Sequence, residues 1–522
     1  MRITDITAAV RGNGAWRALL LLLCPALASA GEWQVAPALE LGSYYTDNVT
    51  RAEEQAQESV VTTVAPELLI NGMGRDYQIF IDYRYVQKFY SDDSDANRGY
   101  NQLSANGNQI LGQGLATYWD GGISQQVTDP AEGLDADVGS RGGNISDTRR
   151  LVSGLRGGRE GDWSRVSGDV SGRVVNSDTE GFERTTGYDG FLLLQQGVAT
   201  GAWFYDARLN GSGERYNGLD AYRDGSGEFV LGRESGADFG LYGRYYDDQA
   251  RIGEASQQQL RSAGGGVRYH PGDQLTLDIG YNTIVDGGDY DDYVSARLDW
   301  RLSSRSRIAG SYGQRYFGDS WDISAEQGTR KLRQTLSYSE SVTTTSRAIT
   351  QVSAIPIACT PDRSSCQLLV EGQPTPTGMS QDTAYVATDA ISNRVYLSKL
   401  WRYNLLFNYR IQMVNFGLYR EDRRFSDDLV VAEHDQDEGA KLFWRLGLTP
   451  ISAVTVNAWW RHYGPEEAET LDREWRTGLG YERSPNNSSR WFFEGSYITR
   501  DAVAAGSSYD EWRLGLSYTY YL

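Results

Sequence analysis

What most limits the fold of this chain is a series of period-two segments, each about ten residues long, that runs from Gly31 to the last residue. In residues 77–89, Tyr77, Ile79, Ile81, Tyr83, Tyr85 and Phe89 share one face, and Asp82, Arg84 and Lys88 share the other. In residues 294–302 the apolar set Val294, Ala296, Leu298, Trp300 and Leu302 stands opposite Arg297, Asp299 and Arg301. In residues 440–448, Leu442, Trp444, Leu446 and Leu448 oppose Lys441 and Arg445. A repeat of two is the signature of a β-strand, whose successive side chains point to opposite faces.

Alternation alone also fits a soluble sandwich with one wet face. Three features separate the two readings. Aromatic residues sit at strand ends, as with Tyr77 and Phe89, where interfacial girdles form. The segments continue without a break or shift in composition. Finally, the connections alternate in length. Tight turns at 72–75, 112–114, 158–162, 197–201, 234–237, 270–274 and 303–305 interleave with longer polar stretches at 91–100, 127–147, 176–185, 247–258 and 286–292. Short periplasmic turns and longer extracellular loops mark an outer-membrane barrel.

The expected fold is therefore all-β, a transmembrane up-and-down antiparallel barrel over residues 31–522. Turn parity, followed back from the C-terminus, fails to match the N-terminal half unless one more strand lies in 343–403. Residues 395–400 or 383–388 are the candidates. With it the count is roughly 24 strands; without a marginal hairpin it is about 22. Residues 343–393 form an irregular segment whose side of the barrel the sequence leaves open.

The last strand is the most specific motif. Trp512, Leu514, Leu516, Tyr518, Tyr520 and Leu522 make an unbroken apolar face. Arg513, Gly515, Tyr518 and Tyr520 match the polar-x-Gly-x-x-aromatic-x-aromatic signal by which the barrel-assembly machinery takes up its clients, with Leu522 where Phe is usual. Pairing with the first strand, near residues 35–45, would remove the exposed edges.

The first thirty residues have the form of a secretory leader. Arg11 and Arg17 precede a short apolar run at 18–23, and Ala28-Ser29-Ala30 is a cleavage site. Cys24 follows a bulky Leu23, which disfavours lipoprotein processing. The formal charge of −19 falls to about −21 once a leader carrying Arg2, Arg11 and Arg17 against Asp5 is gone. Such acidity argues against nucleic acid as a partner, because phosphate binding needs basic surface. Cys359 and Cys366 remain as an even pair, which in an oxidising compartment points to one local disulfide stapling a loop.

Beyond these patterns, the chain resembles the outer-membrane barrel family associated with PEP-CTERM/exosortase systems. The likeness rests on Trp33-Gln34-Val35-Ala36-Pro37 leading to Tyr44-Tyr45-Thr46-Asp47-Asn48, on Asn393-Arg394-Val395-Tyr396-Leu397-Ser398-Lys399, and on the closing strand. It implies the outer membrane and a setting beside exopolysaccharide export and protein sorting. It carries no catalytic residues.

No active site stands out. His434 lies beside Asp435 and Asp437 in an acidic loop, His462 ends a strand after Trp459-Trp460-Arg461, and His270-Pro271-Gly272 has turn chemistry. None forms a Ser/His set, no cofactor motif is present, and the histidines are too scattered for a metal site. The acidic stretches 92–95 and 289–292 lack the ligand spacing of a calcium loop. Gly264-Gly265-Gly266 lies inside a strand, where it marks a kink or a close backbone approach.

Function is expected in the lumen. Inward candidates are Asp82, Arg84, Lys88, Arg297, Asp299, Arg301, Lys441 and Arg445, with Asp169, Arg173, Asp206, Arg208, Glu494 and Arg513. Mixed charge of this kind either lines an aqueous path or forms a salt-bridged wall. Inward aromatics such as Trp459 and Phe492 either stack against sugar rings or fill the space. The expectation is a non-enzymatic conduit or docking site for a polymer or exported protein. The alternative is a structural or adhesive barrel with a plugged lumen and glycan-binding acidic loops. A receptor with an N-terminal plug is disfavoured by the lack of room before the first strand.

Overall fold

The computed structural model describes residues 31–522 except 128–139, 142–144, 179–183, 198, 217–218, 237, 254–256, 288–289, 345–354, 360–365, 369–379, 385–394, 426–433, 466–470 and 504–505. The leader assigned to residues 1–30 lies outside the described residues, so its cleavage site has no structural counterpart here.

Twenty-four antiparallel strands form one closed sheet. The first eight are β1 (Gly31–Thr46), β2 (Ser59–Gly74), β3 (Tyr77–Tyr90), β4 (Arg98–Gly112), β5 (Leu115–Val127), β6 (Ile145–Glu160), β7 (Ser164–Ser177) and β8 (Arg184–Gln196). Next come β9 (Trp203–Tyr216), β10 (Leu219–Glu234), β11 (Phe239–Ile252), β12 (Gln258–Tyr269), β13 (Leu275–Asp286), β14 (Tyr293–Ser303), β15 (Ser306–Arg315), β16 (Gly318–Gly328) and β17 (Leu332–Thr344). A separate three-stranded sheet follows, made of β18 (Ile355–Cys359), β19 (Cys366–Leu368) and β20 (Ser380–Ala384). The barrel resumes with β21 (Val395–Tyr409), β22 (Gln412–Phe425), β23 (His434–Thr449), β24 (Ser452–Pro465), β25 (Asp472–Asn486), β26 (Ser489–Asp501) and β27 (Tyr509–Tyr521).

Each barrel strand pairs with the next, and β17 pairs directly with β21 from Leu332↔Phe407 to Thr344↔Val395. The strand needed in 343–403 is thus β21, which begins at Val395. Thr383 instead belongs to the small sheet. The irregular stretch starts only after Thr344, and it leaves and returns at one rim. Counting connections around the ring puts that rim on the side of the long loops, away from both β1's start and β27's end. The ring is sealed by β1 against β27, from Ala38↔Tyr521 to Thr46↔Arg513. Beyond the ladder, Leu522 N donates to Pro37 O at 2.9 Å.

The turn rim is made of tight connections. At one of them Gly114 has φ +76, and a Cβ there would collide with the Gly158 carbonyl, so only glycine fits. Two loop-rim connections break the long–short alternation, the first leaving two residues between Tyr216 of β9 and Leu219 of β10. At the second, only Tyr316 and Phe317 join β15 to β16, with Gly318 at φ +114 permitting the reversal.

The two faces follow from one contact. Arg297 Nη2 on β14 lies 2.5 Å from Glu228 Oε2 on β10. Strands four places apart in a closed ring meet only through the interior, so this parity is inward, and the pairing registers carry it around the sheet. The opposite parity bears a continuous apolar skin. Leu514 is 70 % exposed, Leu479 60 % and Trp512 59 %, joined by Val294, Trp300 and Leu302. Such a surface is expelled from water but suits hydrocarbon, in which every backbone polar group must pair within the protein. A closed ladder meets that demand.

Candidate functional site

The inner wall carries the chemistry of this barrel. On the arc from β10 to β15, Glu228 accepts from Arg244 Nε on β11 at 2.7 Å as well as from Arg297. Arg244 also donates to Asn282 Oδ1 on β13 and to the Tyr293 hydroxyl on β14, at 2.9 and 3.0 Å. Arg268 and Asp278 form a two-bond pair, both at 2.7 Å. Since neighbouring strands stand about 4.8 Å apart, side chains from β10 and β14 meet only because this arc is sharply curved. Two inward glycines permit close packing there. A Cβ at Gly264 would lie 2.2 Å from the Tyr281 carbonyl, and one at Gly266 would lie 2.3 Å from the Ile279 carbonyl. The triple glycine therefore marks a close backbone approach.

At the loop rim, opposite walls touch. Glu214 on β9 accepts from Arg173 on β7 at 2.9 Å and from Thr344 on β17 at 2.6 Å. Asp248 on β11 is fully buried. It accepts from Arg315 Nε and Nη2 at 3.0 and 3.2 Å, and from the Tyr316 amide at 3.2 Å. Tyr222, Ala250, Tyr316, Val342 and Val395 make a buried apolar cluster drawn from β10, β11, the 316–317 turn, β17 and β21. Burial pushes the Tyr316 hydroxyl well above its ordinary pKa. These contacts divide the lumen at this rim. A smaller lobe is enclosed by β10–β17, and the remaining strands bound a larger one. The short β15–β16 hairpin makes this possible, because its tight turn reaches inward to the facing wall.

Each lobe holds a cavity. The smaller is about 160 Å³ and is bordered by Glu228, Arg244, Tyr246, Arg297 and Arg315. The larger is about 550 Å³ and lies against β22–β27 and β1–β3.

The inward candidates are spread over both lobes. Lys88 Nζ donates to Thr63 Oγ1 at 2.8 Å and stands 5.3 Å from the Tyr44 ring centre. Arg445 lies 3.8 Å from Glu482, and both Lys88 and Arg445 line the larger cavity. Arg84 bonds Glu40 at 2.7 Å, and Asp82 shares its side of β3. Lys441 shares its face of β23 with Arg445. Asp299 accepts two bonds from Arg307, at 3.0 and 2.7 Å, and Arg301 lies nearer the turn rim of the same strand. Glu214, Glu228, Asp248, Arg315 and Arg490 join the inner wall as further functional groups. Inward parity marks them, but their importance comes from contacts between distant strands.

Other candidates find plain structural roles. Asp93 is bonded by Arg141 at 2.6 Å and Asp92 is paired with the same guanidinium, while Asp292 accepts from the Ile284 amide at 2.9 Å. Asp437 accepts from Arg423 at 2.9 Å and from Arg461 at 2.7 Å. His462 packs on the outer face, 6.1 Å from the Trp460 ring, with Nδ1 3.1 Å from Glu438. The backbones of Cys359 and Cys366 are register partners in the small sheet. The sulfur pairing itself lies outside the described residues. In the closing strand, Arg513 and Gly515 face inward, Arg513 bonds Glu511 at 2.5 Å, and Tyr518 and Tyr520 face outward.

No family model and no curated protein matches this chain. Among solved structures it is similar to the FrpB iron transporter from Neisseria meningitidis, at 10 % identity and a TM-score of 0.39, covering 93 % of this chain and 81 % of that one. The siderophore receptor PirA from Pseudomonas aeruginosa shares 8 % identity at a TM-score of 0.38, over 95 % and 81 %. The siderophore receptor PiuA from Acinetobacter baumannii shares 9 % at 0.40, over 92 % and 82 %.

Proposed function

We propose that this protein is a non-enzymatic barrel of the bacterial outer membrane. On this reading it serves an exopolysaccharide or PEP-CTERM-type surface-export system as a conduit or docking site for a polymer or exported protein. The observation that carries the reading is the asymmetric lumen. One lobe is narrowed at the loop rim by contacts between facing strands and keeps about 160 Å³, while the other keeps a cavity of about 550 Å³ with a charged and aromatic wall. A barrel built only as a scaffold has no need to keep that space. Outer-membrane lipid meets the apolar skin, and the barrel-assembly machinery reads the closing strand with Arg513, Gly515, Tyr518, Tyr520 and Leu522.

Planar-bilayer recording on the refolded chain tests the conduit. Discrete conductance steps are expected, and a silent bilayer despite verified insertion would overturn it. The contacts between facing strands at the loop rim favour a second reading, a structural or adhesive barrel whose acidic loops bind surface glycans or partner proteins. Loss of cell-surface matrix attachment on loop deletion, with assembly intact and no conductance in the parent, would select that reading.

A further inference from the structure

We infer that the larger cavity is a binding subsite for an anionic sugar chain, one bearing carboxylates such as a uronic-acid polymer; this deepens the conduit reading and rests on it. The chain as a whole carries a charge of −19, yet the wall of this cavity is basic. Five cations line it: Lys88, Arg445, Arg476, Arg490 and Arg513. Only three carboxylates do so, Glu40, Glu482 and Glu494. Neighbours just outside the lining are paired as well. Arg84 already neutralises Glu40 at 2.7 Å, and Glu511, which bonds Arg513, is also bonded by Arg51 at 3.1 Å. Basic rings in a pore select anions, and the partly dry wall screens them less than bulk water would.

Aromatic surface supplies the second half of a sugar site. Tyr44, Phe443 and Phe492 border the same cavity. Phe492 lies over Gly480, where a Cβ would stand 2.7 Å from its ring, so the ring is seated against backbone. Tyr44 lies between Lys88, at 5.3 Å, and Arg513, at 5.4 Å from its centre. Faces of this kind take the C–H side of a pyranose, while guanidinium groups pair with carboxylates in bidentate fashion. The two chemistries stand within one cavity on a contiguous wall.

The test is calorimetric titration of the detergent-solubilised full chain with hexagalacturonate, with maltohexaose as the neutral control. Binding of the acidic oligomer alone is expected. In R445Q/R490Q the excess of cations is cancelled, and affinity should fall at least about tenfold, given the strength of charge-assisted bonds. R305Q, which places the same change in the turn between β14 and β15, should leave affinity unaltered, and heat-modifiable migration reports whether each variant is folded. Equal binding of both oligomers, no binding by the parent, or unchanged affinity in folded R445Q/R490Q would overturn the inference. Bilayer recording separates it from the conduit reading. Binding without conductance leaves the subsite standing and removes the conduit; conductance without binding does the reverse.

Discussion

Removing Arg315 tests whether contacts between distant strands, rather than the ladder alone, hold the loop rim in shape. Asp248 is fully buried, and three donors satisfy its carboxylate: two from Arg315 and the Tyr316 amide. Arg315→Ala leaves a buried charge with the amide as its remaining neighbour from the turn. Leaving such a charge uncompensated costs about 3–5 kcal/mol. The Arg315 side chain is 23 % exposed, and the amide persists, so about 2–4 kcal/mol is the expected loss. Removing both partners in Asp248→Ala/Arg315→Ala deletes the orphaned charge. The double variant should be less destabilised than the sum of the singles by about 2 kcal/mol. Urea titration of the barrel folded in lipid vesicles measures both, through the midpoint at constant slope. A single variant within about 0.5 kcal/mol of the parent, or strictly additive singles, would refute the claim that this pair pins the 316–317 turn to β11.

Leu514 lies near the middle of β27 on the outer face, so Leu514→Arg should cost about 2–4 kcal/mol in vesicle unfolding if that face meets the bilayer midplane; a neutral result would remove it from the lipid. Gly266→Val would drive side-chain atoms into the Ile279 carbonyl and the Tyr242 ring, and refolding yield should collapse relative to Gly112→Ala at an open position. Cys359 and Cys366 should resist alkylation in the oxidised protein and react after reduction, as mass spectrometry would read; ready labelling without reductant would exclude the disulfide.

Much of the architecture was legible because a barrel writes itself locally. The alternation at 77–89 and 294–302 announces two faces without knowledge of neighbours, and the closing strand displays its apolar side in its own spelling. The difficult passage was the stretch from β15 to β22. There the loop-rim turn at Tyr316-Phe317 is as short as a turn-rim one, so length stopped reporting side. Parity recovers only when Val395 is taken as the start of a strand. The lumen was legible to the level of direction and no further. Parity sends Arg297 inward, but its meeting with Glu228 four strands away depends on the curvature of the whole arc. Likewise Glu214 and Thr344 are separated by 130 residues, and no local pattern couples them.

The seam between β1 and β27 dictates an order of events. Thr46 donates to Glu511 across it at 2.7 Å, at a sequence separation of 465 residues. Chain-closure entropy rises with the logarithm of that separation, so forming this contact costs about 4 kcal/mol more than closing a tight hairpin such as β2–β3. Every other neighbouring pair can zip as soon as its own two strands exist. The seam waits until the final dozen residues arrive, and until then the protein is an open ribbon with two bare margins. A long, sticky intermediate of that kind cannot wait unattended. Its fate turns on whether a template holds those margins until they find each other.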